Sequence, residues 1–385
     1  MKTKWSYKIG SIAGIPIKLH LSFLIILLIF IWIFAVNDIR IKTLGIIIGF
    51  GGMDISTWLK YLLGAIASVL FFATLLFHEL SHSIVAMRYG AKIRSITLFV
   101  LGGVAQMEEI PRDPGKEAKV SAAGPVFSMS IGIFAYAVYY IFGPVNLTAP
   151  GATFKDAALL VVGIIAFYNV LLGLFNLIPA FPMDGGRILR ALFATRMSYI
   201  EATKKAVAVG ESFAFAMGLL GLLTLPGGVW LLLIAIFIYF GASAEEKATI
   251  ISVSLEGVKA RDVMTAVPNV VYVPPDMTLN QLVDVMFRTK HIGYPVQEEQ
   301  SSPVLGVITF GDVRQIPASK RDTIRVGDVM KREIITIGPD ADASDALKLM
   351  SSKNIGRLIV MEDGQMAGII SRTDLMRAVQ FRGKG

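Results

Sequence analysis

The sequence predicts a polytopic α-helical membrane protein with about six transmembrane helices and a possible small membrane-associated β-sheet, followed by a soluble α+β domain. Three observations predict this fold class. Hydrophobic residues make up 54% of the 385 residues and charged residues only 17%, whereas a soluble protein carries about 25%. Long apolar runs recur up to residue 244. From residue 245 onward, charged and apolar residues are mixed as they are in soluble domains.

Six apolar runs are long enough, with their flanks, to cross a bilayer. They cover residues 19–36, 59–87, 120–142, 157–177, 206–225 and 229–244. The apolar run at 44–53 is too short to cross, so we expect a re-entrant or peripheral segment there. Residues 93–107 are rich in β-branched side chains and are interrupted by two glycines. They favour a pair of strands, with an irregular apolar loop as the alternative.

Charge and cysteine content narrow the class of function. The net charge is +8, which in a membrane protein indicates basic cytoplasmic loops rather than nucleic-acid binding. Fifteen Lys or Arg residues precede the first run or lie in the second-to-third and fourth-to-fifth connections, against three in the other connections. This bias predicts a plasma-membrane protein whose termini and soluble domain are cytoplasmic. The absence of cysteine excludes disulfides, Cys-bound zinc and thiol catalysis.

The second apolar run contains an H-E-x-x-H motif, formed by His78, Glu79 and His82. On a helix the two His share one face and can bind one zinc ion, while Glu79 can take a proton from water on that metal. The alternative is a chance pattern of hydrogen-bonded core residues. The chain has only four His, and ionisable groups inside a membrane are costly and usually functional. We therefore favour a metal site.

A catalytic zinc site needs a third protein ligand, and Asp184 is the best candidate. No charged residue lies between Ala157 and Met183, so Asp184 stands alone after the fourth run. Pro179 and Pro182 end the preceding helix, and non-helical backbone at membrane depth is tolerated where it lines a cavity. The alternative is that Asp184 is a helix N-cap. Because the H-E-x-x-H motif is also present, we favour metal ligation by Asp184.

The region after residue 245 repeats internally. Residues 261–264 are echoed by 327–330, and residues 306–312 are echoed by 368–374. Each half reads strand, helix, strand, strand, helix over about 60 residues. The repeat predicts two similar α+β units side by side in sequence.

The motifs resemble those of a known family. H-E-x-x-H in one span, with Asn176, Pro179, Asp184 and Gly185 in a later one, resembles the site-2 protease family of intramembrane zinc metalloproteases. The Ala-Gly-Pro sequence at residues 123–125 also resembles that family. The repeat resembles a pair of CBS motifs, called a Bateman module. The resemblance implies a transmembrane metalloprotease domain at 1–244, a linker at 245–258, and CBS motifs at 259–317 and 324–381.

The resemblance also implies roles for single residues. His78, His82 and Asp184 would hold one Zn²⁺ per chain, and Glu79 would be the general acid/base. Asn176 would contact the substrate backbone or the oxyanion, with helix capping as the alternative. The implied substrate is a transmembrane segment of another protein in the lipid bilayer, which must unwind before cleavage. An extended substrate could add to a strand edge in 93–107.

The CBS pair resembles adenine-nucleotide sensors, which implies that ATP, ADP or AMP modulates cleavage and that the chain forms a homodimer through this pair. Thr309 and Ser371 would contact phosphate, and Asp312 and Asp374 the ribose; the alternative is that all four simply begin helices. A competing function is a CBS-gated transporter or channel. Glu79 argues against it, because an ion path needs no base between two zinc-spaced His. An inactive relative is disfavoured because all four site residues are present.

Overall fold

The computed structural model describes residues 5–41, 43–100, 102–108, 112–143 and 153–382. The chain divides into two compact units, residues 2–247 and residues 248–385. The helices of the larger unit are α1 (Leu21–Val36), α2 (Thr57–Arg88), α3 (Pro114–Ile141), α4 (Phe154–Asn176), α5 (Asp184–Ala194), α6 (Tyr199–Leu223) and α7 (Val229–Ser254).

Five helices in the described part of the chain, α2, α3, α4, α6 and α7, are long and apolar enough to cross a membrane. They correspond to five of the six predicted runs. The first predicted run yields only the 16-residue helix α1. It begins late because His20 ends a strand and caps the helix, accepting a hydrogen bond from the Ser22 backbone N–H at 3.2 Å.

Strands from both sides of α2 in sequence form one four-stranded sheet. The strands of the larger unit are β1 (Ser6–Ile12), β2 (Ile15–His20), β3 (Ile39–Ile41), β4 (Ile46–Ile48), β5 (Lys92–Phe99) and β6 (Gly102–Glu108). The sheet has the order β1-β2-β5-β6, with β2 and β5 parallel and the other pairs antiparallel. The strand pair predicted within 93–107 is confirmed as β5 and β6. The short run at 44–53 contains β4, which forms a two-stranded hairpin with β3.

The sheet packs on the helix that carries the H-E-x-x-H motif. Ile15 and Ile17 of β2 and Ile96 of β5 are buried against Leu80 of α2. A second apolar cluster joins α1, α4 and the β3–β4 hairpin. Burial of these apolar side chains stabilises the larger unit through the hydrophobic effect. Both clusters include residues of α2.

The smaller unit contains both sequence repeats. Its elements are α8 (Ala260–Val263), β7 (Thr265–Ala266), α9 (Leu279–Thr289), β8 (Gly293–Val296), β9 (Gly306–Thr309), α10 (Phe310–Arg314), a 3₁₀ turn (Ala318–Lys320), α11 (Val326–Val329), β10 (Thr336–Ile337), α12 (Ala343–Ser352), β11 (Arg357–Glu362), β12 (Gln365–Ser371) and α13 (Arg372–Arg382). The smaller unit has two apolar cores, one centred on each repeat, and each core includes residues of the other repeat: Ala260 of the first repeat lies in one, and Val326 of the second lies in the other. Strand β7 of the first repeat pairs with β12 of the second, so the two repeats share a sheet.

The segment at 245–258, assigned from the sequence to a linker, is largely helical. Helix α7 continues to Ser254, in keeping with the helix-forming Ala, Glu and Lys residues there. Leu255 and Val258 are then buried in the core of the second repeat.

Candidate metal centre

Three possible ligand atoms from distant parts of the chain meet inside the larger unit. His78 Nε2 lies 3.2 Å from His82 Nε2. Asp184 Oδ2 lies 3.5 Å from His78 Nε2 and 3.1 Å from His82 Nε2. The His78 side chain is 2% exposed and the Asp184 side chain 15%. Among the residues that the structure describes, His78, His82 and Asp184 form a group of side chains that could bind one metal ion.

The spacing of these atoms fits a single tetrahedral zinc ion. Ligands about 2.0–2.2 Å from such an ion are about 3.3–3.6 Å apart, close to the three distances observed. The site also has room, because Gly124 of α3 faces it without a side chain. A Cβ atom at Gly124 would lie 2.2 Å from His82 Nε2 and 2.6 Å from His78 Nε2.

Helix α3 orients both imidazoles. His82 Nδ1 lies 2.7 Å from the Val120 carbonyl oxygen. A carbonyl can only accept, so Nδ1 carries the proton and the Nε2 lone pair is free for a metal. His78 Nδ1 lies 2.9 Å from Ser128 Oγ, and this hydrogen bond orients the second ring. Both rings therefore turn Nε2 towards Asp184.

A glycine-rich turn places Asp184. Met183 is the N-cap of α5 and Asp184 its first residue, so the carboxylate does not cap the helix, contrary to the alternative weighed from the sequence. A Cβ atom at Gly185 would lie 2.2 Å from the Ile178 carbonyl oxygen, and one at Gly186 would lie 2.6 Å from Ala180 backbone atoms. Only glycines allow this close approach of the turn to residues 178–180.

Glu79 lies between the two His in sequence and beneath the outer strand of the sheet. A Cβ atom at Gly103 of β6 would lie 2.4 Å from Glu79 Cγ. The backbone of β6 therefore passes directly over the Glu79 side chain. In the described sheet β6 pairs only with β5, so β6 is an outer strand with one unpaired edge.

Asn176 is not brought into this group by any described contact. It is the last residue of α4, and its Nδ2 donates to the Leu172 carbonyl oxygen at 3.0 Å. The amide donor is thus used within its own helix.

Three contributors to the site were not singled out from the sequence: the Val120 carbonyl, the Ser128 hydroxyl and Gly103. A usable signal existed for α3, because Ser121, Gly124 and Ser128 recur at helical spacing in an otherwise apolar run. A backbone carbonyl leaves no such signal.

The four residues considered for nucleotide binding form two equivalent pairs in the smaller unit. Asp312 Oδ2 accepts from the Thr309 N–H at 2.9 Å and from its hydroxyl at 2.5 Å. Asp374 Oδ2 accepts from the Ser371 N–H at 2.9 Å and from its hydroxyl at 2.6 Å. Each pair begins a helix, α10 or α13.

The second carboxylate oxygen of each pair faces a basic side chain. Lys331 Nζ lies 2.9 Å from Asp312 Oδ1, and Arg377 Nη1 lies 3.8 Å from Asp374 Oδ1. Burial would raise the pKa of Asp312, but the hydrogen bonds from Thr309 and Lys331 outweigh it and leave the pKa below its ordinary value. Asp312 therefore stays ionised at neutral pH.

Comparison with known proteins agrees with the architecture of both units. The family model described as Peptidase family M50 matches residues 66–143 and 139–219, and the CBS domain model matches residues 260–319 and 326–380. Zinc metalloprotease MJ0392 of Methanocaldococcus jannaschii is 35% identical over 98% of this chain and 97% of its own length. The solved Site-2 Protease from Methanocaldococcus jannaschii is 36% identical, covers 63% of this chain and 95% of its own, and superposes with a TM-score of 0.41.

The peptidase match spans the helices that hold the H-E-x-x-H motif and Asp184, and the CBS matches span both repeats. The full-length relative carries both parts in one chain. The chain therefore belongs to peptidase family M50, the site-2 proteases, and is an intramembrane zinc metalloprotease with a C-terminal CBS pair.

Proposed function

We propose that His78, His82 and Asp184 hold one zinc ion per chain and that Glu79 is the general acid/base of peptide-bond hydrolysis. The observation that carries this proposal is the approach of three ligand atoms from two distant segments to within 3.5 Å of one another. The full-length relative is a zinc metalloprotease, so a CBS-gated transporter or channel is not favoured. The deciding experiment compares wild type with Glu79→Gln for cleavage and for zinc content.

The chain's own residues divide the work of the reaction. When bound, zinc supplies a nucleophile from water and polarises the peptide carbonyl. The Glu79 carboxylate accepts the proton that water gives up and passes it to the leaving amine nitrogen. The Val120 carbonyl and the Ser128 hydroxyl keep both imidazoles turned towards the ion.

The substrate is a transmembrane segment, and it must unwind locally because a helix keeps its carbonyls bonded internally. The unwound stretch binds by adding as a strand to the open edge of β6. Two observations support this step: β6 is an outer strand, and its backbone at Gly103 passes over Glu79. Strand addition supplies main-chain hydrogen bonds and would leave the bond to be cut beside the acid/base.

Single prolines at residues 104, 105 and 106 are expected to lower cleavage in an alternating pattern. Proline removes the backbone N–H, and in an antiparallel pair successive N–H groups point alternately to the partner strand and to the open edge. Positions whose N–H faces the open edge should lose cleavage while zinc content stays unchanged. Cleavage of a single-span substrate in proteoliposomes measures the effect, and wild-type rates for all three variants would reject strand addition.

The CBS pair binds an adenine nucleotide (ATP, ADP or AMP), and binding modulates cleavage. The equivalent pairs Thr309–Asp312 and Ser371–Asp374 support this, since each offers a hydroxyl and a carboxylate beside a basic side chain. Nucleotide binding requires each hydroxyl to turn from its carboxylate to a phosphate oxygen, leaving the carboxylate for the ribose hydroxyls. The distribution of basic residues supports a cytoplasmic position for this unit at the plasma membrane, where such nucleotides are present.

Asp374→Asn is expected to weaken nucleotide binding by about tenfold or more, because the ribose hydroxyls lose a charged acceptor while the amide oxygen can still accept from the Ser371 backbone N–H. Asp312→Asn should act similarly in the other repeat. Calorimetry with ATP, ADP and AMP on the full chain measures binding, with the exposed Asp284→Asn as the matched control. Equal cleavage rates with and without saturating nucleotide would exclude regulation through this module.

A further inference from the structure

Arg190 of α5 is buried at the junction of three helices and is 4% exposed. Its Nε and Nη2 donate to Glu117 Oε1 at 2.8 and 2.6 Å, and its Nη1 donates to Glu245 Oε1 at 3.1 Å. The rings of Phe181 and Tyr199 lie 5.0 and 4.9 Å from its Cζ atom. Charged acceptors and aromatic rings therefore surround the guanidinium and hold its position.

The Arg190–Glu117 pair joins the two elements that set opposite sides of the metal centre. Glu117 lies in the first turn of α3, three residues before Val120, whose carbonyl orients His82. Arg190 lies six residues after Asp184 on α5. The pair thus connects the helix that orients one ligand to the helix that begins with another.

Helix α5 needs such a connection because its first turn offers little side chain to anchor it. Asp184 is followed at once by Gly185 and Gly186. Further along, Leu189 and Phe193 pack in an apolar cluster with Phe181. Apolar contacts are non-directional, whereas two nitrogens of a planar guanidinium that donate to one oxygen, Glu117 Oε1, set the distance between the two side chains.

We propose that Arg190 is a positioning residue of the metal centre: its pair with Glu117 clamps α5 to α3 and so sets Asp184 Oδ2 against His82 Nε2. The inference rests on the proposed zinc centre. Glu245 shares the guanidinium, but it lies on α7, which carries none of the proposed ligands. Loss of Glu245 is therefore expected to affect zinc less than loss of Glu117.

Zinc affinity of the full chain in detergent tests the clamp, measured by competition with a chromogenic chelator. Arg190→Lys keeps the charge but replaces the planar fork with a point charge, so we expect zinc Kd to rise about 10–100-fold. Glu117→Gln should raise zinc Kd to a similar extent, and Glu245→Gln by less. The matched control is Arg196→Lys, an exposed arginine just beyond the end of α5, which should leave zinc Kd unchanged.

A second readout separates positioning from general stability. Excess zinc should restore cleavage by the folded Arg190→Lys protein, which it cannot do for Glu79→Gln. Should Arg190→Lys fail to fold, the Glu117→Gln/Arg190→Met pair removes both charges and should show the same rise in Kd. Wild-type zinc affinity in the folded single or double variant would overturn the clamp, whereas a wild-type chain that binds no zinc would overturn the proposed centre itself.

Discussion

Glu79→Gln is expected to abolish detectable cleavage while leaving the zinc content of the protein unchanged. Glutamine has the size of glutamate but cannot accept a proton, and general acid/base catalysis contributes about 10²–10⁴-fold. The three proposed ligand atoms belong to His78, His82 and Asp184, so the substitution leaves them in place. Cleavage of single-span membrane proteins in proteoliposomes, with zinc determined by mass spectrometry, measures both quantities.

Two comparisons make the Glu79→Gln result specific. Glu298→Gln changes an exposed glutamate in the smaller unit and should leave both cleavage and zinc content at wild-type values. His82→Ala should lose zinc and cleavage together. Wild-type cleavage by Glu79→Gln would remove Glu79 from the mechanism, and loss of zinc in that variant would show that the glutamate holds the metal or the fold.

Gly124→Ala is expected to lower the zinc affinity of the metal centre by about 100-fold. The added Cβ would lie 2.2 Å from His82 Nε2, a separation that non-bonded atoms do not adopt. Relief by moving α3 is costly, because the same helix holds His82 through the Val120 carbonyl and His78 through Ser128. The zinc Kd and the cleavage rate should therefore both respond to a single methyl group.

Gly218→Ala on α6 is the matched control for this substitution. A Cβ atom there would meet Ala235 Cβ at 3.6 Å, an ordinary contact. Replacing a helical glycine by alanine should stabilise the protein by up to about 1 kcal/mol and leave zinc Kd unchanged. Full zinc affinity in Gly124→Ala would show that the ion does not sit between the three proposed ligand atoms.

Long helices were predictable because their signal is local. A run of apolar residues is visible without knowing its neighbours, and five runs correspond to membrane-length helices. Strands β1 and β2 were not predicted, although Ile15, Ile17 and Leu19 alternate with more polar residues. Their place in the sheet depends on pairing such as Ile17 with Ile96, and no local pattern encodes a partner so distant in sequence.

In the metal centre, too, the features set by local sequence were predictable and those set by packing were not. The H-E-x-x-H spacing is a property of one helix, so the shared face of His78 and His82 follows from the sequence. The isolated charge of Asp184 marked a second segment, but its distance from the imidazoles depends on the packing of α3 and α5. The Arg190–Glu117 pair illustrates why: each residue alone reads as an ordinary charged residue in a connection between apolar runs, and only the fold shows them bonded.

If a substrate adds to the unpaired edge of β6, as proposed, its affinity comes from main-chain hydrogen bonds that every sequence can make. Capture by such an edge does not require a consensus of side chains. Selection would fall instead on the ease with which a membrane helix frays, which rises with Gly, Pro and hydrogen-bonding Asn or Ser near the cut. Proteins cleaved by this enzyme would then share a weak point in an otherwise stable helix, and would look unrelated in an alignment.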